Sequence, residues 1–386
     1  MLERRTLRNI DYILVLVLVL LLGGSLLILS TASMNIDKSD PNHYVKIQGL
    51  WMATGLILAV VMASFDYQYL RRLSWLIYGI NILLLVAVFF FGTSAGGAIR
   101  WLPITQTQGI QPSEFAKIAV IITLADFLSK REGKLNRYRD FLAPFLFVLA
   151  PALLILKQPD LGTAIVLIVI FIGMMFVAGA NPKKLCALLL GGGTLAGVAL
   201  YLHFADLPSW LQFAQGLPLP LEGYQLNRLT VFVDPTADTS GDGYHIIQSI
   251  WAIGSGGLWG KGYRLGTQTQ LNFLPEHYTD FIFAVVGEEF GFVGTITLLF
   301  LLFIFLSRII RIAANAKDSY GALVTMGVAS LFTFHILVNV GMTLGIMPVT
   351  GIPLPLISYG GSSMWANMLA IGLLFNIHLR RQRLMF

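Results

Sequence analysis

The chain has 386 residues, 56% of them hydrophobic and 12% charged, with a formal net charge of +6 and one cysteine. Its mean hydropathy of +0.74, with repeated apolar stretches of about 20 residues, excludes an ordinary soluble domain, because runs of that length cross hydrocarbon as helices. The lone Cys186 excludes an internal disulfide, and basic residues that fall mostly between the apolar runs read as topology signals rather than as a nucleic-acid surface.

In chain order, the apolar runs predict about ten transmembrane helices, at about 12–31, 47–64, 72–91, 112–129, 141–156, 162–180, 184–204, 277–306, 319–343 and 361–379. Nothing repeats at a fixed period and no linker leads to a soluble domain, so residues 1–386 read as a single integral membrane domain of the all-α polytopic class. Segments on one side of these spans hold 18 Lys and Arg, against 7 in the intervening loops, which places both termini in the cytoplasm. The start, Arg4, Arg5 and Arg8 ahead of an apolar stretch, resembles a signal peptide. Its apolar core exceeds the usual length of about 7–15 residues, so it is expected to remain as the first span.

The largest interruption, about 205–276 between spans seven and eight, is expected to be extracellular. Within it Ile246, Ile247, Ile250 and Trp251 share one helical stripe, which suits either a helix lying on the membrane surface or a short helix packed on the spans. The run from His277 to Leu306 would measure about 45 Å as a helix, longer than the hydrocarbon core of about 30 Å, so it must tilt, bend or protrude. Asp280 would then occupy its first turn, capped by Thr279 or His277, where the helix dipole favours an ionised carboxylate.

A charge near hydrocarbon is costly unless it is paired or reaches water, so the charged and polar residues at the outer ends of the spans are the candidates for chemistry. These are Asp280, Arg100, Trp101, Gln111, Glu114, Lys117, Lys157, Asp160 and Arg228. Glu114 and Lys117 lie on one helix face at i, i+3, either as a pair that neutralises itself or as charges lining a wet cavity. Asp160 suits a helix cap or a site residue equally, and Arg100-Trp101 offers a planar cation for phosphate beside an interfacial indole. Glu288 and Glu289, about 12 Å farther along the helix than Asp280, are either functional or hydrogen-bonded to a neighbouring span.

Several apparent motifs fail. Gly254 to Gly262 imitates a P-loop, but Ser255 stands where its first Gly belongs and Gly262 where Ser or Thr belongs. Asp234, Asp238 and Asp242 imitate a calcium loop, but His245 replaces the bidentate Glu. The 6 histidines show no ligand spacing, and no nucleophilic serine elbow is present.

Five runs in fixed order carry a family resemblance: Arg100-Trp101, Gln111 to Lys117, Gln158-Pro159-Asp160-Leu161-Gly162, Phe273 to Phe283 followed by Gly287-Glu288-Glu289-Phe290-Gly291, and Pro353 to Ser363. Together they resemble the shape, elongation, division and sporulation (SEDS) family. Gly260-Lys261-Gly262 with Gly266 to Gln270 looks like its elongation-type branch. The resemblance implies a peptidoglycan glycosyltransferase that polymerises lipid II into β-1,4 glycan at the outer face of the bacterial cytoplasmic membrane, for elongation and rod shape. It implies Asp280 as general base, a class B penicillin-binding protein as transpeptidase partner, and other elongation-complex proteins. It adds Ser358 and Ser362 to the substrate-binding candidates and allows a divalent cation, Mg or Mn, without requiring one. The alternative that the family leaves open is a lipid II flippase, which would place polar residues across the full membrane depth.

Overall fold

The computed structural model describes residues 10–36, 40–95, 98–103, 109–204, 223–238 and 241–381. Helix α1 (Tyr12–Ala32) starts where the Asp11 carboxylate accepts the Leu14 N–H at 3.1 Å. It is followed by α2 (His43–Ser64), a short α3 (Tyr67–Arg72) capped by Asp66, and α4 (Ser74–Phe91). Three short strands come next, β1 (Thr93–Ala95), β2 (Ala98–Pro103) and β3 (Gly109–Ile110), then α5 (Pro112–Ser129), α6 (Tyr138–Leu156), α7 (Leu161–Val177) and α8 (Pro182–Phe204). The remainder forms α9 (Gly223–Val233), a 3-10 turn at Pro235–Ala237, α10 (Asp242–Gly256), α11 (Thr267–Gln270), α12 (Ile282–Ala314), α13 (Ser319–Thr343) and α14 (Gly361–Leu379).

Each predicted span is occupied by one helix, and α1, α2, α4, α6, α12 and α13 are long and apolar enough by themselves to cross a membrane. Among the others, α5 carries Glu114, Lys117 and Asp126 along its length, and α7 is 17 residues long. The all-α expectation needs one correction: β1, β2 and β3 form an antiparallel sheet in that order, pairing Thr93 with Trp101 and Leu102 with Ile110. Strand β2, which carries Arg100-Trp101, pairs with β1 on one side and β3 on the other, so its backbone is satisfied by sheet bonds in place of helix bonds. Of the long segment 205–276, residues 205–222 lie outside the described residues.

The core centres on α5 and α13. Helix α5 is buried around most of its circumference, and α13 packs against α5, α7, α10, α12 and α14. Helix α14 lies along α2 so closely that a Cβ on Gly372 would approach the Ala59 carbonyl to 2.7 Å, the small-residue contact by which helices associate without a hydrophobic driving force. The first span is part of this bundle: Ser25 donates to the Ile357 carbonyl at 2.7 Å, and the Arg308 Nε to Asp11 at 2.9 Å.

Helix α12 answers the length problem by bending. It breaks at Gly291 (φ 64, ψ −159), and the glycine-rich segment that imitates a P-loop docks into the break. The freed carbonyls of Glu288 and Glu289 accept from Lys261 and Gly262, each at 3.0 Å, while Phe292 and Val293 donate to Gly257 at 2.9 Å and Leu258 at 3.1 Å. Backbone groups released inside the bundle are thereby satisfied by backbone. Helix α10 packs on α12, with Gly256 against the Gly287 carbonyl and Ile253 against Gly287, and Ser249 donates to the Thr343 carbonyl of α13 at 2.8 Å, while Ile250 and Trp251 stay exposed, so the packed alternative holds. A Cβ at Gly291 would meet Gly260 N and the Leu258 carbonyl, which are backbone and cannot rotate away. Gly291→Ala should therefore cost about 3 kcal/mol or more, read as a lowered thermal unfolding midpoint of the purified protein.

Candidate active site

Asp280 lies in a turn immediately ahead of α12 and not, as expected, in its first turn. The turn is built on Glu276 (φ 51), whose carbonyl accepts the N–H groups of Thr279, Asp280 and Phe281 at 3.2, 3.1 and 3.2 Å. Neither expected cap operates. Thr279 bonds back to Glu276, and His277 is buried with its ring nitrogens 2.5 Å from the Leu274 carbonyl and 2.6 Å from the Ala32 carbonyl. What positions Asp280 is Asn339 on α13, fully buried, whose amide donates to the Asp280 carbonyl at 2.7 Å and to the Ile352 carbonyl at 2.8 Å. One side chain thus joins two non-helical segments to a core helix.

The second of those segments closes the site. Gly351 adopts φ 72, a backbone conformation that favours glycine, and a Cβ there would stand in ordinary contact with Asp280 Oδ2 at 3.5 Å and Arg228 Nη1 at 3.9 Å, so carboxylate and guanidinium both border this residue. Burial, with the negative charge of Glu276 second, pushes the Asp280 carboxyl up to about 6, while Arg228 and Arg100 pull it down and Asp160 adds a smaller upward push. Arg228, on α9, is oriented by Asp242 at 3.2 Å. Arg100, on β2, donates from Nη2 to the Pro159 carbonyl at 2.7 Å, and its buried Nε has no partner among the described residues.

Asp160 caps α7, accepting from Thr163 N at 3.1 Å and Thr163 Oγ1 at 2.9 Å, and it also receives the Gln111 amide at 3.3 Å. Cap and site neighbour are therefore one residue. The Gln111 N–H donates to Ser362 at 3.0 Å, and Ser358 accepts the Leu354 N–H at 2.8 Å, so both serine oxygens engage main chain. Trp101 is partly exposed on β2, and Lys157 is exposed.

Glu114 and Lys117 form an ion pair of 2.7 Å that is almost wholly buried, with Lys117 Nζ also 3.4 Å from His335 Nε2. The pair is buried, and the second carboxylate oxygen, Glu114 Oε2, has no partner among the described residues. Glu288 is structural: its oxygens accept from Lys261 Nζ at 2.7 Å, Gln268 N at 2.8 Å and Thr269 Oγ1 at 2.8 Å, fastening the 260–270 loop. Glu289 accepts from Arg264 N at 3.3 Å in the same loop. Asp234 and Asp238, the calcium-loop imitators, cap the local turns instead. Among the described residues no group of three or more His, Cys, Asp and Glu converges to hold a metal ion, so these side chains do not by themselves make a cation cage.

Sequence reasoning missed Asn339, His335 and Gly351. The first two do leave a signal, polar residues four apart on one face of an otherwise apolar span. Gly351 leaves none, since its positive φ belongs to the folded backbone and not to any sequence pattern.

Comparison with known proteins agrees with this architecture. The chain is 36% identical to the peptidoglycan glycosyltransferase RodA of Treponema pallidum, covering 98% of this chain and 99% of that protein. It is 38% identical to the peptidoglycan glycosyltransferase MrdB of Escherichia coli K12 over 96% of this chain and 94% of the relative. Among solved structures, a chain of a peptidoglycan synthase complex, described as coordinating polymerization and crosslinking, superposes with a TM-score of 0.77 at 31% identity, covering 95% of this chain and 97% of that one. Thermus thermophilus rod shape determining protein RodA gives 0.69 at 29% identity, covering 97% and 98%. Fold, site and relatives define a multi-pass membrane glycosyltransferase. The chain belongs to the cell cycle protein family of FtsW, RodA and SpoVE, the SEDS family, whose profile matches residues 11–383.

Two outcomes follow from the buried contacts. Lys117→Met should destabilise by about 3 kcal/mol because it strands the Glu114 charge, and Glu114→Gln/Lys117→Met together should cost less than that single change in thermal unfolding. Asn339→Ala should lower turnover per folded molecule about tenfold or more and also lower the thermal unfolding midpoint, because the Asp280 and Ile352 carbonyls lose their donor on α13.

Proposed function

We propose that this chain is a peptidoglycan glycosyltransferase that polymerises lipid II into β-1,4 glycan strands, with Asp280 as general base. The observation that carries the reading is the Asp280 carboxylate, raised to about 6 in a half-buried turn and acted on by Arg228 and Arg100. A carboxylate so tuned is a stronger base than an ordinary aspartate and stays mostly ionised at neutral pH. It takes the proton of the acceptor's GlcNAc 4-hydroxyl as that oxygen bonds to the anomeric carbon of the donor's MurNAc. The bond from that carbon to the lipid diphosphate breaks, the diphosphate leaves with the electron pair, and the α linkage inverts to β. Negative charge grows on the leaving phosphate oxygens, which Arg228 and Arg100 are suited to stabilise.

The charge asymmetry along the chain supports ten spans in the bacterial cytoplasmic membrane with both termini cytoplasmic, which puts Asp280 at the outer face. Trp101, Gln111, Glu114, Lys117, Asp160, Ser358 and Ser362 are assigned to the surroundings of the substrate. Cell elongation, with a class B penicillin-binding protein as transpeptidase partner and further elongation-complex proteins, is the cellular setting. Its support is the likeness to RodA and to a synthase complex that couples polymerization to crosslinking.

Asp280→Ala, purified with its partner, should bind lipid II and make no glycan; normal polymerisation by it overturns the assignment. The parent's kcat/KM should fall with one-proton slope below about pH 6, where the base becomes protonated. Arg228 holds the pKa down, so Arg228→Gln should move that limb to higher pH. Because burial disfavours the ionised form above the unfolded pKa, Asp280→Asn should unfold no more readily than the parent at pH 7, which separates lost chemistry from lost folding.

A further inference from the structure

Beside the Asp280 turn, three tyrosines from distant parts of the chain meet ring to ring. Tyr44 sits in the first turn of α2, Tyr278 in the turn itself, and Tyr359 in the loop ahead of α14. Ring centroids are 5.4 Å apart for Tyr44 and Tyr278, 5.2 Å for Tyr44 and Tyr359, and 5.8 Å for Tyr278 and Tyr359, a closed triangle, with Trp51 4.9 Å from Tyr359. The triangle is tied to the turn by backbone, since Tyr359 N donates to the Tyr278 carbonyl at 3.1 Å. Tyr278 is close enough to Asp280 and Glu276 to feel both charges.

Two features separate this cluster from core packing. Each ring is partly exposed, and none of the three hydroxyls is sealed or hydrogen-bonded among the described residues. Three open hydroxyls at the rim of one aromatic patch make a surface that offers apolar faces and polar groups together. Local burial keeps the phenols of Tyr278 and Tyr359 protonated, pushed up to about 12, so they remain donors at working pH.

We infer that Tyr44, Tyr278 and Tyr359 form a saccharide subsite that holds a pyranose unit of the glycan beside Asp280. The choice of a sugar deepens the reading of the chain as a glycan polymerase and rests on it for the ligand class. A pyranose ring has C–H faces that pack on aromatic rings and hydroxyls around its rim that pair with tyrosine hydroxyls, the combination of apolar wall and few polar groups typical of ligand sites. A diphosphate would be drawn instead to Arg228 and Arg100. A lipid tail would leave the hydroxyls unpaired. Because Tyr278 and Asp280 share one turn, a sugar seated on the triangle is held in register with the carboxylate, which is how positioning lowers a barrier.

The test uses the full chain in nanodiscs and an unlinked GlcNAc–MurNAc tetrasaccharide that carries neither lipid nor diphosphate. The parent should shift the bound sugar's C–H proton resonances upfield through ring currents, and Tyr44→Leu and Tyr359→Leu should weaken binding about tenfold, while Tyr44→Phe, which keeps the ring, should weaken it less. Absence of ring-current shifts on the parent overturns the inference without any variant. So does unchanged binding by folded Leu variants, which, with a lowered thermal midpoint, would mark the tyrosines as interfacial anchors. Binding needs no turnover, so the two readings fail separately. Tyrosine-dependent binding with a fully active Asp280→Ala would remove the base and keep the subsite, and an inactive Asp280→Ala with tyrosine-independent binding would do the reverse.

Discussion

Where the chain leaves its helices inside the bundle, a buried carboxamide takes over the hydrogen bonding that the helix no longer supplies. Asn339 holds the Asp280 and Ile352 carbonyls; Gln48 donates to the Ser358 carbonyl at 3.1 Å and accepts the Gly360 N–H at 3.3 Å. Asn376 donates to the Met62 and Phe65 carbonyls, each at 2.6 Å, and accepts the Tyr67 N–H at 3.2 Å. In hydrocarbon an unsatisfied backbone group costs several kcal/mol, so non-helical backbone survives only where protein groups reach it. An amide serves well because it donates twice without carrying charge.

That constraint shapes the site. Two non-helical stretches, 275–281 and 344–360, meet at Asp280, and both contain residues at positive φ, Glu276 (51), Gly351 (72) and Leu356 (66). Such conformations are held by their surroundings. Here the surroundings are Asn339, Gln48 and the paired backbones of Tyr278 and Tyr359. The break at Gly291 follows the same rule, with loop backbone in place of a side chain. Rigid helices therefore carry the site residues on short, tied turns, and the carboxylate, both arginines and the tyrosines are brought together by segments more than 300 residues apart, from Tyr44 to Tyr359.

The charged side chains differ in how their charge is met. Glu288, Asp160 and the Glu114–Lys117 pair all spend their charge on protein partners. The Asp280 carboxylate differs: among the described residues it accepts no hydrogen bond, and Arg228 and Arg100 act on it electrostatically. A charge that is balanced without being bonded is available to a substrate.

Hydrophobic runs of membrane length, broken by basic loops, determine the helical bundle from sequence alone, because hydrocarbon admits no other spanning structure on such runs. The family motifs likewise singled out Asp280, Arg100 and Asp160 before any contact was visible. Tertiary structure decided what periodicity cannot carry: that α12 begins at Ile282 and bends at Gly291, that Arg100 rides on a strand, that Glu114 and Lys117 are buried against each other, and that Asn339 anchors the Asp280 turn. Each of these depends on which distant backbone meets which side chain. A local pattern records the solvent a residue prefers, and only the packed bundle records its partner.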